Sequence, residues 1–175
     1  MNKSASDSEN SKIYFPLTAN PVGYNHLLLA ETILWQLPES KLIVFLISNG
    51  YHPDPLKRTA IPNSQLRFEI LIRAIRDWAN LEKSIPAQIA SEYGIILKLQ
   101  NNNCVVSRSE LSLNTPVHLA DNIKLFSKSG RVKFIVGADL INRMLNHNIF
   151  SAKDLDIISK ESHLQIAPRN EIEIE

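Results

Sequence analysis

The chain predicts an α/β fold built on a parallel sheet, and three observations carry that expectation. Two near-continuous apolar runs, Lys41 to Ser48 (KLIVFLIS) and Arg131 to Val136, have the composition of strands buried on both faces. Segments of helical period alternate with such runs along the chain, as in βαβ units. Two strand-to-helix turns, after Thr18 and after Val136, concentrate the polar residues. In open α/β sheets ligands bind outside the carboxyl ends of the strands, so both turns lie where a site should be.

Taken in order, Lys12 to Leu17 is the first expected strand, and a helix follows through Leu37, capped by Asn25 or the turn before it and stopped by Pro38. The buried-type strand from Lys41 to Ser48 leads into a polar loop, Asn49 to Pro62, without hydrophobic period. Ser64 or Asn63 then caps a long helix to Trp78, with Leu66, Ile70, Leu71, Ala74, Ile75 and Trp78 on one face. Pro86 to Tyr93 predicts a short helix closed by Gly94. Ile95 to Leu99 and Cys104 to Ser107 flank an Asn-rich turn, the pattern of a hairpin. A helix capped by Thr115 is expected from Pro116 to about Lys128. After the strand to Val136, Gly137-Ala138-Asp139 opens another helix. Ser151 caps a helix from Ala152 to Ser159, and His163 to Ala167 is the last expected strand.

A chain of 175 residues is long enough to bury a sizeable core, and 44% hydrophobic with 21% charged residues is a globular composition. Residues 1–11 are polar and lack the apolar stretch of a secretory signal; they are expected to be a disordered start before a single domain over 12–175. Nineteen basic against eighteen acidic side chains give no global field, so a polyanionic ligand must be held by a local site. No apolar run approaches a membrane span. The single cysteine, Cys104, cannot form an internal disulfide, fits a reducing compartment and is expected to be a small core residue. The expectation is a cytoplasmic protein with neither nucleic acid nor membrane as partner.

The first turn carries the most chemistry. Leu17-Thr18-Ala19-Asn20-Pro21-Val22-Gly23-Tyr24-Asn25-His26-Leu27 joins a strand to a helix whose start bears a histidine. Unpaired N–H groups, the positive end of the helix dipole and an imidazole donor together describe a phosphate site. The segment resembles the nucleotide-binding turn of the nucleotidylyltransferase superfamily, especially the nicotinate/nicotinamide mononucleotide adenylyltransferases, whose pattern reads roughly G-x-F-x-P-x-H-x-G-H-L. Thr18, Pro21, His26 and Leu27 match, and Asn20 matches a position that varies between Asp and Asn. Leu17, Ala19, Gly23 and Asn25 depart from it, Gly23 standing where the family has the first of its two histidines. Glycine there permits close approach of a ligand or a positive φ, but offers no side-chain donor.

The resemblance continues through the chain. Tyr51 to Arg58 is similar to a Pro/His/Lys cluster after the second strand, with Lys57 the closest match to the phosphate-contacting residue and His52 a candidate substitute for the histidine missing at Gly23. Arg67 stands where the family often has a basic residue; at a helix start such a cation calls for a structural or a ligand partner. Ser107-Arg108-Ser109-Glu110-Leu111 resembles the acidic segment before a Ser-Tyr-Thr element, which is replaced here by Thr115-Pro116-Val117-His118. Ile135-Val136-Gly137-Ala138-Asp139 resembles a strand ending in Gly-x-Asp, whose glycine admits the ligand and whose Asp contacts ribose or orients ATP. His147 stands where bacterial members often carry a ring-stacking tryptophan, and Arg169 matches a basic position. The family's later Ile-Ser-x-Thr-x-x-Arg element has no counterpart before Glu175. Either the chain is truncated, another subunit of a homo-oligomer completes the site, or the site is not catalytic.

The resemblance implies a Rossmann-like, doubly wound parallel sheet of the nucleotidylyltransferase type. It implies adenylyl transfer from ATP, with Mg²⁺ bridging its phosphates, to a pyridine mononucleotide, a step of NAD biosynthesis. His26 and Lys57 would be the catalytic residues; Thr18, Asn20, Gly23, His26, Arg67, Gly137, Asp139 and Arg169 would surround the nucleotide; His147 would face the acceptor ring; no protein-held metal is expected. The alternatives are a nucleotide-binding or regulatory relative that has lost the chemistry, and a transferase of the same superfamily with another acceptor.

Overall fold

A computed structural model describes residues 11–19, 22–49, 51, 63–111, 113, 115–146 and 150–167. Its strands are β1 (Lys12–Leu17), β2 (Leu42–Ile47), β3 (Cys104–Ser107), β4 (Val132–Gly137) and β5 (Ser162–Ala167). Its helices are α1 (Tyr24–Gln36), α2 (Ser64–Trp78), α3 (Ile85–Glu92), α4 (Leu119–Phe126, continued by a 3₁₀ turn), α5 (Ala138–Asn146) and α6 (Ala152–Glu161). The five strands form one all-parallel sheet in the order β3-β2-β1-β4-β5.

Side-chain alternation divides the core between the two faces. Ile13, Phe15 and Leu17 of β1 join Ile43, Phe45 and Ile47 of β2 beneath Leu27, Ala30 and Leu34 of α1 and Leu71, Ile75 and Trp78 of α2. Tyr14, Val44 and Leu46 point the other way, onto Leu119 and Ile123 of α4, Phe134 of β4 and Ile158 of α6. A sheet covered on both faces is the doubly wound, Rossmann-like arrangement expected from the sequence. Each fully buried Leu, Ile or Phe contributes roughly 1.5–3 kcal/mol.

The strand order reverses at β1, and there the sheet opens. β1 pairs with β2 along its whole length, Lys12 with Leu42 to Leu17 with Ile47. With β4 it pairs only at Ile13–Lys133 and Tyr14–Phe134. Pro16 has no N–H to give to either neighbour, and the β1–β4 ladder stops before it. In sheets of this kind the crevice that takes ligands opens between the carboxyl ends of the strands at such a switch point, here β1 and β4.

Four expectations are corrected. Ile95 to Leu99 forms no hairpin with Cys104–Ser107: β3 pairs in parallel with β2, and residues 95–100 form no strand. The backbone N–H groups of Lys98 (2.5 Å) and Leu99 (2.7 Å) donate to the buried carboxylate of Glu31 on α1. That carboxylate also accepts from the indoles of Trp35 (2.8 Å) and Trp78 (3.3 Å). α4 begins at Leu119 rather than Pro116, because the Thr115 carbonyl is taken by Asn49 Nδ2 (2.8 Å) and Asp121 caps the His118 N–H (3.0 Å). On α2 the buried face is rotated from the expected one: Arg67, Phe68, Leu71, Ile75 and Trp78 are buried, whereas Leu66 is 49% and Ile70 38% exposed. α6 runs to Glu161, past the expected end at Ser159.

The other bounds agree to within a residue or two. Gly94, at φ +66°, closes α3 in the left-handed conformation that glycine tolerates. Cys104 packs partly buried against the core, and burial pushes its thiol up to about 11, so it stays protonated at neutral pH. The expected disordered start lies, save for Ser11, outside the described residues. No helix among the described residues is long and apolar enough to cross a membrane.

Candidate functional site at the β1–β4 crevice

Past Leu17, β1 turns sharply. Ala19 is buried at φ +51°, a left-handed conformation that costs a non-glycine residue about 1 kcal/mol and is held by the surrounding core. Gly23 is the N-cap of α1 in an extended conformation (φ −97°, ψ 163°), so it is not a position that demands glycine. A Cβ built there would meet only His26 Nδ1, at an ordinary 3.8 Å. The position has room for a Cβ; what Gly23 lacks is a side-chain donor.

His26 is the third residue of α1. Its Nδ1 accepts the backbone N–H of Gly23 at 3.2 Å, so the ring folds back over the helix start. That bond places the proton of the neutral imidazole on Nε2 and makes Nε2–H its donor. The ring is half-buried, with Phe15 6.4 Å away between centroids. The first-turn N–H groups of α1 and this imidazole thus belong to one helix end.

Across the crevice, β4 ends at Gly137 and α5 begins at Ala138. Asp139 lies in the first turn of α5, with its carboxylate folded back over Gly137 so closely that a Cβ at 137 would collide with it. A Cβ at 137 would therefore displace this carboxylate, the free end of a side chain, while the backbone, with no positive φ, would accept it.

Arg67 and Thr18 meet beneath the first turn. Arg67 is 1% exposed, and its guanidinium donates to the carbonyl of Thr18 through Nη1 and to that of Ser48 through Nη2 (2.7 Å). It therefore ties together the backbone just beyond β1 and β2. Burial lowers the pKa of the guanidinium, and the nearby Glu110 opposes that effect; an arginine remains charged at neutral pH.

Next to Arg67 lies a buried polar cluster. Glu110 accepts from Asn122 Nδ2 of α4 (2.7 Å) and from the backbone N–H of Asn49. Asn49 in turn donates to the carbonyls of Leu113 (3.1 Å) and Thr115 and accepts the Tyr51 N–H (3.0 Å). The segment after β3 is held against the end of β2 in this way. Asn49 and Asn122 were not anticipated from the sequence, since a lone amide after a strand or within a helix gives no pattern to read.

The structure brings Thr18, Gly23, His26, Arg67, Gly137 and Asp139 to the carboxyl ends of adjacent strands. Asn20, Lys57, His147 and Arg169 lie outside the described residues, as does His52. Among the described residues, no three His, Cys, Asp or Glu side chains gather as a metal site. A cavity of about 400 Å³ lies at the opposite edge of the sheet, between the end of α1 and residues 96–103, lined by Lys41, Lys98 and Asn103. It faces the amino ends of β2 and β3, where sheets of this kind do not bind nucleotides, so the crevice is the stronger candidate.

No family model matches the chain, and no curated protein matches it in sequence. Among solved structures it is similar to Plasmodium falciparum nicotinic acid mononucleotide adenylyltransferase complexed with NaAD, at 13% identity and a TM-score of 0.53, over 93% of this chain and 76% of that one. The same enzyme complexed with APC gives a TM-score of 0.51 at equal identity and coverage. At that identity the likeness is one of architecture: the chain has the fold seen in a nicotinic acid mononucleotide adenylyltransferase.

Proposed function

We propose that this chain is a nucleotidylyltransferase that transfers the adenylyl group of ATP to nicotinate or nicotinamide mononucleotide. The observation that carries the reading is the β1–β4 crevice, flanked on one side by His26 at the start of α1 and on the other by Gly137-Ala138-Asp139 at the start of α5. The fold neighbours are complexed with NaAD and with APC, which supports a nucleotide ligand for this chain.

In the proposed reaction a phosphate oxygen of the mononucleotide attacks the α-phosphorus of ATP. The new O–Pα bond forms as the bond from Pα to the bridging oxygen breaks, and pyrophosphate leaves. No protein nucleophile is needed; the protein aligns the reactants and stabilises the charge that develops. His26 Nε2–H and the first-turn N–H groups of α1 would donate to ATP phosphates, Lys57 would add positive charge, and Asp139 would accept from ribose hydroxyls. Arg67, with its guanidinium on the Thr18 and Ser48 carbonyls, would position the turn rather than grip phosphate. Mg²⁺, carried on the triphosphate, would neutralise part of its charge.

One observation favours a second reading. Gly23 lacks the donor that the resembling family supplies there, and loss of one such donor costs about 3–4 kcal/mol, or 10²–10³ in rate. A nucleotide-binding relative with impaired chemistry fits that loss. Pyrophosphate release from ATP and Mg²⁺ with each pyridine mononucleotide, beside a His26→Ala control, separates the two. Turnover with one acceptor, abolished in the control, is the expected result. ATP binding without turnover would favour the second reading.

A further inference from the structure

α3 carries apolar side chains on both of its sides. Ala87 and Ala90 are buried against the body of the chain. Ile85, Ile89 and Tyr93, four residues apart, form a stripe on the opposite side and are 61%, 51% and 72% exposed. A helix that is apolar all round is ordinarily buried. The stripe extends at both ends. Leu81, whose carbonyl accepts Gln88 Nε2 of α3 (2.9 Å), stands before it. Ile95 and Ile96, both exposed, follow it, the Ile95 N–H returning to the Ala90 carbonyl at 2.7 Å. We propose that this face is where a second copy of the chain docks, the two α3 helices crossing antiparallel about a twofold axis at Ile89. The proposal does not depend on what the crevice binds.

Two observations select a second copy as the occupant. The first is area. The fractional exposures of these six residues leave roughly 700 Å² open, above the ~300–600 Å² of the largest apolar patch on a typical monomer and near the ~800 Å² per partner of a stable interface. Gln88 and Glu92, exposed on the same side of α3, supply a polar rim.

The second is charge. Lys83 lies just before α3, and Glu92 ends it. In an antiparallel crossing Ile89 meets Ile89, and Ile85 meets Tyr93 of the second copy. Glu92 then reaches the start of the other α3, where Lys83 and the positive end of the helix dipole both favour a carboxylate. Lys83 is exposed enough to keep its own pair with Asp77 (3.4 Å) in this arrangement. Every contact occurs twice, as a twofold interface requires. A parallel crossing would set Glu92 against Glu92. Because the face bears charges of both signs, an anionic lipid surface is a poorer match.

The face is fixed in the folded chain. Ser84 caps α3, its Oγ accepting the Ala87 N–H at 3.3 Å. The segment after Ile96 is held by the Glu31 carboxylate through the Lys98 and Leu99 N–H groups, and its Leu97 and Leu99 join the core beneath α1 and α2. A face already in place loses little freedom on docking. None of its residues flanks the crevice.

The test is sedimentation velocity from sub-micromolar to hundred-micromolar protein, on the wild-type chain and on Ile89→Lys, which sets two ammonium groups face to face at the axis. The wild type is expected to reach twice the mass of one chain at tens of micromolar. Ile89→Lys should raise the dissociation constant about 100-fold, since like charges set together across an interface cost several kcal/mol. A second variant needs no loss of association: Ile89→Cys should be linked to its copy by mild oxidation, whereas Leu155→Cys, exposed on α6 at the other face of the sheet, should not. Cys104 is common to both. A wild type that stays monomeric throughout would overturn the proposal, and one that stays monomeric but co-sediments with phosphatidylcholine vesicles would give the face to lipid. A dimer indifferent to Ile89→Lys, or equal crosslinking of the two cysteine variants, would also overturn it.

Discussion

At the scale of single residues, His26 is held by the bond its Nδ1 accepts from the Gly23 N–H, which gives the ring one tautomer and one direction. Gly23 is where function and stability separate. Its extended backbone and the 3.8 Å clearance allow a side chain, so Gly23→His is expected to fold with a stability change within about 0.5 kcal/mol. If a missing donor limits turnover, that variant should raise the rate of pyrophosphate release by 10-fold or more; no gain would show that charge at this end of α1 is not limiting. Gly137 behaves in the opposite way. An Ala there pushes the Asp139 carboxylate from its place over the backbone, so Gly137→Ala should lower ATP affinity about as much as Asp139→Asn does, with melting displaced by only a few degrees. Binding titrations on both variants check this, and unchanged affinity in Gly137→Ala would remove Asp139 from the site.

At the scale of elements, local pattern and long-range hydrogen bonding divided what could be read. Lys41 to Ser48 and Arg131 to Val136 were legible as buried strands because apolar β-formers in unbroken runs have few other solutions. The capped starts at Asn63 and Ser151 were legible for an equally local reason, the side-chain oxygen of each accepting an N–H of the next turn. The fate of residues 95–100 was not legible, because it is decided by Glu31, whose carboxylate takes the Lys98 and Leu99 N–H groups from 67 and 68 residues away. Apolar periodicity likewise missed the burial of Arg67, whose acceptors come from 49 and 19 residues distant. Replacing Glu31 leaves buried donors unmatched, so Glu31→Ala is expected to cost about 3 kcal/mol or more. Denaturant unfolding would measure it; a loss under 1 kcal/mol would show that this segment is held by Leu99 packing alone.

At the scale of the whole molecule, the sheet order β3-β2-β1-β4-β5 explains why two turns more than a hundred residues apart in sequence flank one crevice. The motifs at Thr18–His26 and Gly137–Asp139 were found separately, and only the reversal of strand order at β1 makes them neighbours. The candidate site was legible to that extent, since strand-end position follows from pattern. Its supporting layer of Arg67, Glu110, Asn49 and Asn122 was not, because it is assembled from four elements by contacts that no local spacing encodes. The proposed adenylyl transfer is tested by following the transferred phosphorus. ATP labelled at the α-phosphorus is incubated with Mg²⁺, each pyridine mononucleotide, and wild-type or His26→Ala protein, and the label is located. Label is expected in a dinucleotide made with one of the two acceptors, with the rate reduced at least 100-fold in the variant. Label that remains in ATP, or a dinucleotide formed equally well by His26→Ala, would contradict it.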